Sequence, residues 1–332
     1  MTASLEVLTP GHGVGVQDGG RTGKRRWGVP PSGALDLWLL AAANSLLGNP
    51  ATAAALEIPL TGPVLAAVRA PLAVALAGNV TALHCRRDGS QVLVPAWRAI
   101  ELAPGDRFEV AMPRDGIAYL GVSGGIQTET LLGSRATTPT AGLGRPLAAG
   151  DLLPCGPVGA LRQSLPWQHD EGPIRLLPGP QDDHFTKASR ALLALDYFSL
   201  SSDCNRMGLR LQGAKLSHSA KGAEIVTEGV TPGAIQVPAD GQPIILLNDA
   251  QTSGGYAKIA CAISADLPRL AHLRPGQQIL FRWVDRPAAL EALRGLHRRF
   301  EDWRGRRLSG FIDDAALYQH NLISGVTSGE EL

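Results

Sequence analysis

The stretch from Ala54 to Val122 restricts the fold most, because its apolar residues come only in short runs broken by turn signals. Candidate strands are Ala54–Ile58, Gly62–Val68, Leu72–Ala77, Gln91–Val94, Arg98–Leu102 and Arg107–Ala111, with a hairpin turn at Asp88-Gly89. The turn Pro104-Gly105-Asp106 nearly recurs as Ala149-Gly150-Asp151 and Pro275-Gly276-Gln277, each flanked by apolar residues. This weak internal repeat is consistent with two related β-domains. The 39 glycines and 24 prolines are spread through the chain, which suits many short strands joined by tight turns.

The second half reads the same way. Strands are expected at Ile174–Leu177, Tyr197–Leu200, Gly208–Gln212, Ala223–Val226, Ala234–Val237, Ile244–Leu247, Lys258–Ile263 and Gln278–Val284. Helices are few. Asp36–Leu47 carries a capping aspartate, a Leu39/Leu40/Ala43/Leu47 stripe and a Gly48 then Pro50 stop. A second helix is expected from Asp182 or Asp183 to about Leu193. A third starts at Pro287 with Leu290, Leu293, Leu296 and Phe300 on one face. Residues 156–172 have linker composition and separate residues 1–165 from 166–303; residues 304–332 read as a tail.

Charge, cysteine and histidine patterns exclude several functions. With 31 basic and 30 acidic residues the net charge is +1, which gives no electrostatic case for nucleic acid or an anionic membrane. The longest apolar runs are too short to span a bilayer, and the start MTASLEVLTP lacks the n- and h-regions of a secretion signal. A cytoplasmic protein is the expectation. Cys85, Cys155, Cys204 and Cys261 form no CxxC, and the eight histidines include no HxH or HExxH, so no metal site is expected. A phosphate loop at Gly23-Lys24 fails, with Asp18 at the first glycine position and Arg25 where Ser or Thr would bind magnesium. Gly121-Val122-Ser123-Gly124-Gly125 fits G-x-S-x-G, but no helical run follows the serine, so a glycine-rich crossing between strands is expected.

Two polar clusters remain. One comprises Gln17, Asp18, Arg21, Ser32, Asp36 and Asn44. The other comprises Arg206, Gln236, Asp240, Gln242, Asp249, Gln251, Tyr256 and Lys258, on tight turns such as Ser253-Gly254-Gly255 between apolar strands. A lysine beside a tyrosine and a Gly-Gly turn could hold a carboxylate or carbonyl oxygen, Asp249 could accept an amide N–H or act as a base, and Arg206 suits carboxylate recognition. The alternative for each is a local structural bond: Arg206 with Asp203, or Asp240 within its own turn.

Six ordered blocks from about Gly11 to Val284 carry a resemblance: VQDGGRTGKRRWGVPPSGALD, ANSLLGNPATAAALE, SGGIQTETLLGSRAT, LPGPQDDHF, RMGLRLQG and GAIQVPADGQPIILLNDAQTSGGYAKIA. The chain resembles the biotin-dependent carboxyltransferase family, the group that takes in allophanate hydrolase subunit 2, KipA and the C subunit of 5-oxoprolinase. The resemblance implies a mainly β fold of two cyclophilin-like β-barrel subdomains with a few short helices. It implies a cytoplasmic component of an ATP-dependent hydrolase complex that opens the cyclic amide of 5-oxo-L-proline to L-glutamate. The other components of that complex are a KipI-like B subunit and an A subunit.

Carried over by position, Asp249, Tyr256 and Lys258 are the expected catalytic residues. Arg206, Gln236, Gln242, Gly254, Gly255, Gln17, Asp18 and Arg21 are expected to bind substrate. ATP is used by the complex. No biotinyl-lysine motif is present, so any biotin would ride on a separate chain. The family pattern often has arginine, proline and glutamine where Ala250, Ala257 and His272 stand here. Two other readings are a KipA-type regulator that antagonises a kinase inhibitor, and a carboxyltransferase acting on a urea-like acceptor with carboxybiotin.

Overall fold

The computed structural model describes residues 3–306 and the backbone of 308–309; the rest of the expected tail lies outside the described residues. The chain is mainly β, as the short apolar runs require. Two antiparallel sheets form the first half. One has six strands, in the order Leu152–Pro154, Ser4–Thr9, Val64–Val68, Arg107–Val110, Thr81–Cys85 and Gln91–Pro95. The other has five, in the order Gly15–Gln17, Ala55–Ile58, Ala118–Val122, Leu72–Ala77 and Ala99–Leu102. Alternate residues of both sheets, among them Leu5, Val7, Leu65, Leu56, Val74 and Leu120, meet in one buried core.

The second half is an eight-stranded sheet, in the order Gln278–Ile279, Phe198–Leu200, Gly208–Gln212, Ile244–Leu246, Ala234–Gln236, Lys258–Ala262, Ile174–Pro178 and Phe281–Trp283. Its two edge strands are consecutive in the chain, with only Leu280 between them, so the sheet nearly closes into a barrel. The closing pair, Ile174–Pro178 with Phe281–Trp283, is parallel. Phe198, Ile235, Ile245, Ile259 and Phe281 fill its interior. No described helix is long and apolar enough to cross a membrane.

Helix α1 (Leu37–Leu46) lies on the outer face of the five-stranded sheet. Asp36 caps it by accepting from the Trp38 and Leu39 N–H groups. Leu39 through Leu46 are all buried, since the helix is covered on both sides. Asn44 spends its amide on the Ala51 and Ala53 carbonyls. The expected helix after Asp182 is instead a 3-10 turn, Asp182–His184, and then α2 (Lys187–Leu195), capped by Thr186 accepting from Ser189 N. Helix α3 is the short Leu267–Leu270. Helix α4 (Arg286–Gly305) is capped by Asp285 and has proline in its first turn. Its buried stripe is Leu296, Phe300 and Trp303, whereas Leu290 is exposed, so the inward face lies one turn later than expected. This stripe packs with Trp38, Trp97 and Trp167 against α1.

Several strands escape the sequence reading, among them Thr81–Cys85 and the fully buried Ala118–Val122. The second runs into the G-x-S-x-G segment. Ser123 there is buried; its Oγ donates to Gly156 O and accepts from Ala73 N, which leaves no exposed nucleophile. The expected linker contains the short strand Arg162–Gln163, which pairs with Leu308–Ser309.

The three recurring turns share one device. Asp106 accepts from Ala103 N, Asp151 from Ala148 N and Gln277 from Arg274 N, each three residues back. The intervening glycines Gly105, Gly150 and Gly276 all have φ between 83° and 95°, where a side chain is strained.

Asp106 also receives the N–H of Arg87 and the His84 ring. Burial pushes its pKa up, but these bonds more than offset that and hold the carboxyl below its ordinary value. A lowered folded pKa means stability that is complete above the unfolded value of about 3.9 and is lost as pH falls through the folded one. Asp106→Asn should therefore cost about 1–3 kcal/mol in urea unfolding at pH 7. The gap to the wild type should narrow below about pH 4; an equal gap at pH 7 and pH 3 would contradict this account.

Candidate functional site

The loop Pro30–Asp36 carries the PPSGALD segment between the two halves of the molecule. Ser32 adopts φ 51° and Gly33 φ 74°, so the chain reverses sharply before α1. A Cβ on Gly33 would lie 2.7 Å from Gly20 Cα, so the two loops touch backbone to backbone. Bonds from both halves hold the loop. Ser32 N donates to Asn248 O (3.0 Å), Asn248 Nδ2 to Ala34 O (3.0 Å), Ala34 N to Asp18 O (2.9 Å) and Leu35 N to Glu57 Oε2 (3.0 Å).

Arg206 is the centre of this junction. Its guanidinium makes two bonds to Asp249, at 2.8 and 3.1 Å, one to Gly33 O at 2.6 Å, and one to Glu57 Oε1. The Asp203 pairing weighed from sequence is not what it makes. Burial would lower its pKa, but Glu57 and Asp249 outweigh that and raise it, so it is a permanent cation. Glu57 in turn accepts from the Tyr119 hydroxyl, which also accepts from Asp36 N (3.1 Å). Burial, then Glu57 and Asp36, push the Tyr119 phenol well above its ordinary pKa, so it stays protonated and donating.

A continuous polar chain thus runs Asp249–Arg206–Glu57–Tyr119–Asp36. Its far end is a histidine pair. His169 Nε2 lies 2.5 Å and His272 Nε2 2.8 Å from Asp36 Oδ2, while Oδ1 is engaged by the helix cap. Burial favours the neutral Asp36 carboxyl, but the two rings outweigh it and hold its pKa far below the carboxylate range. Both rings face a cavity of about 640 Å³, bounded also by Asn79, Trp97, Asp115 and Trp167. Sequence spacing could not reveal this end: the rings stand 133 and 236 positions from Asp36.

The expected site residues fall into separate groups. Asp249 joins Arg206, and Arg21 lies near enough to Asp18 and Asp249 to feel both charges. Arg21 is fully buried and spends its donors on Leu131 O, Ala136 O and Thr138. Asp18 accepts from Gly20 N, Ser134 Oγ and Arg135 N, and Gln17 donates to Thr137 O, so these three hold the Leu131–Thr138 loop. Gln242 clamps Gly213 with both ends of its amide, away from the others.

Lys258 sits elsewhere again. Its ammonium is 2.8 Å from Glu228, an ion pair without well-directed hydrogen-bond geometry. Gln236 is its register partner across the sheet, and the Gln236 Nε2 is buried without a partner. A Cβ on Gly254 would come within 2.7 Å of that Nε2. Tyr256 and Gly254-Gly255 lie on a two-stranded ribbon, Glu224–Gly229 with Ser253–Tyr256, and Tyr256 is exposed. Two buried donors thus stand side by side under a glycine-lined ribbon. Asp249, Tyr256 and Lys258 do not form one bonded constellation.

Removing Arg206 would strand two carboxylates whose side chains are only 3% and 6% exposed. Arg206→Ala is expected to lower the unfolding free energy by about 3–5 kcal/mol. Arg206→Lys should recover little, because an ammonium cannot fork between Asp249, Glu57 and Gly33 O. A urea titration that finds less than about 1 kcal/mol for either variant would sink this account.

The family profile described as carboxyltransferase domain, subdomain A and B, matches residues 27–283. The chain is 39% identical over 312 residues to the Escherichia coli (strain K12) protein named as the C subunit of 5-oxoprolinase, spanning 90% of this chain and 98% of that one. It is 34% identical to the Haemophilus influenzae protein of the same name, over 84% and 91% of the two chains. Among solved structures, the Kluyveromyces lactis urea carboxylase superposes with a TM-score of 0.81 at 28% identity, covering 94% of this chain and 30% of that much longer one. This chain belongs to the carboxyltransferase-domain family, subdomains A and B.

Proposed function

We propose that this chain is the C subunit of an ATP-dependent complex that opens 5-oxo-L-proline to L-glutamate. The observation that carries the reading is the 39% identity along nearly the whole length of a protein named as the C subunit of 5-oxoprolinase. Ring opening adds one water across the lactam C–N bond, and the resonance of that amide explains the need for ATP. Nucleotide chemistry is assigned to the partners, a KipI-like B subunit and an A subunit. In this chain Gly23-Lys24 leads into a 3-10 turn with the Lys24 ammonium over the Trp27 ring, not into a phosphate cradle. The cytoplasm, where ATP is available, is the proposed location.

Within the chain, Lys258 and Gln236 are assigned to the substrate's oxygen atoms. Both are buried donors lacking a well-directed hydrogen bond, so a carbonyl or carboxylate oxygen placed there satisfies both. Tyr256 and the Gly254-Gly255 backbone would close over it, while Arg206 positions Asp249.

The test is glutamate formation from 5-oxoproline and ATP by this chain reconstituted with its partners. Lys258→Ala should reduce kcat/KM by about 100-fold or more with an unchanged circular dichroism spectrum. An unchanged rate removes Lys258 from the site, and no glutamate from the wild-type assembly removes the function. The likeness to the urea carboxylase favours a second reading, transfer of a carboxyl group from carboxybiotin on another chain to a urea-like acceptor. Bicarbonate- and biotin-dependent carboxylation of such an acceptor would decide for it.

A further inference from the structure

The Asp36–His169–His272 cluster is more than a helix cap with two neighbours. We infer that it is a binding site for one divalent first-row transition ion of the zinc class. Three ligand-type side chains from three places in the fold converge there: the cap of α1, the segment after Trp167, and the residue two beyond α3. Their donor atoms all lie within 4.8 Å of one another. Both imidazoles present Nε2, and both aim it at the same carboxylate oxygen. A ring that only braced the loop would need one such contact, and a second donor on the same oxygen adds little.

The set has the composition such an ion selects. Two imidazoles and one carboxylate suit zinc, cobalt or ferrous iron; calcium and magnesium favour all-oxygen sets. Ligand distances of about 2.0–2.2 Å around a tetrahedral ion put donor atoms a little over 3 Å apart. From 2.8 Å the His272 nitrogen would therefore retreat from Asp36 by roughly half an ångström, and from 2.5 Å the His169 nitrogen by closer to one. Three protein ligands leave one position open, and the cluster borders the cavity of about 640 Å³. This is the pattern of a reactive ion, not of a closed structural one.

The surroundings hold the ligands. Asp36 Oδ1 is fixed by the Trp38 and Leu39 N–H groups, which leaves Oδ2 for the ion. His272 packs on Gly116, where φ is +59° and a Cβ would lie 2.2 Å from the ring Nδ1. One carboxylate charge against a divalent ion leaves a single positive charge facing the cavity, suited to polarising a water or a substrate oxygen.

The test uses the full chain, stripped with a chelator and titrated with zinc chloride in a calorimeter. One ion per chain is expected, with a dissociation constant below about 1 µM and an affinity about tenfold or more weaker in His169→Ala and in His272→Ala. The exposed His12 serves as a control: His12→Ala should bind as the wild type does. Asp36→Asn keeps a capping side chain and removes the charge, and it too should weaken binding. Cobalt(II) gives a second readout, visible bands of four- or five-coordinate geometry at one equivalent, absent in the histidine variants. Binding that survives both histidine variants, or a wild-type chain with neither stoichiometric zinc nor those bands, overturns the inference.

Discussion

The structure hangs on the Arg206 guanidinium, a half-buried cation bonded to a buried carboxylate from each half of the chain. Glu57 comes from the five-stranded sheet and Asp249 from a turn of the eight-stranded one. Neither acid could stay ionised at its depth without a partner, and one lysine could not serve both. The same guanidinium reaches the Gly33 carbonyl and so fixes the loop that delivers Asp36 to the head of α1. Packing then follows from electrostatics. Once that loop is placed, α1 lies on its sheet and the α4 stripe of Leu296, Phe300 and Trp303 can cover it.

Two polar sites result, with different characters. The Arg206 chain is satisfied at nearly every atom and therefore rigid; it is suited to placing groups. Lys258 and Gln236 are the opposite, donors held in a buried setting without full satisfaction. Proteins retain such deficits where a ligand makes them good. The geometry divides these residues into anchors and incompletely satisfied donors.

Much of this was legible in the residues. Asp36 with its stripe and glycine stop announced α1, and the recurring Gly-Asp and Gly-Gln turns share one side-chain bond. Local chemistry determines such features, so local sequence shows them. What was missed was decided at long range. Ala118–Val122 hides because a strand buried on both faces lacks alternation and ends in glycines. The apolar face of α4 was legible from Leu293 onward, but Leu290 at its start stays exposed, because the cover that includes Trp38 and Trp167 meets only the later turns. Asp182 and Asp183 looked like caps, but Thr186 held the geometry. His169 and His272 carry no signal at any spacing, since their meeting is a property of tertiary folding. The local Arg206–Asp203 pair weighed as an alternative gives way to Glu57 and Asp249, partners too remote in sequence for spacing to suggest.

The nearly closed barrel also sets an order of assembly. The last strand of the six-stranded sheet is Leu152–Pro154 and that of the five-stranded sheet is Ala118–Val122, so all strands of both first-half sheets exist once residue 154 leaves the ribosome. The eight-stranded sheet is different: its first strand, Ile174–Pro178, has one side that only Phe281–Trp283 can occupy. A strand made early thus keeps an open edge until the closing strand is synthesised about a hundred residues later, the kind of edge that recruits foreign strands. The nascent second half is accordingly the part of this chain more exposed to aggregation during synthesis.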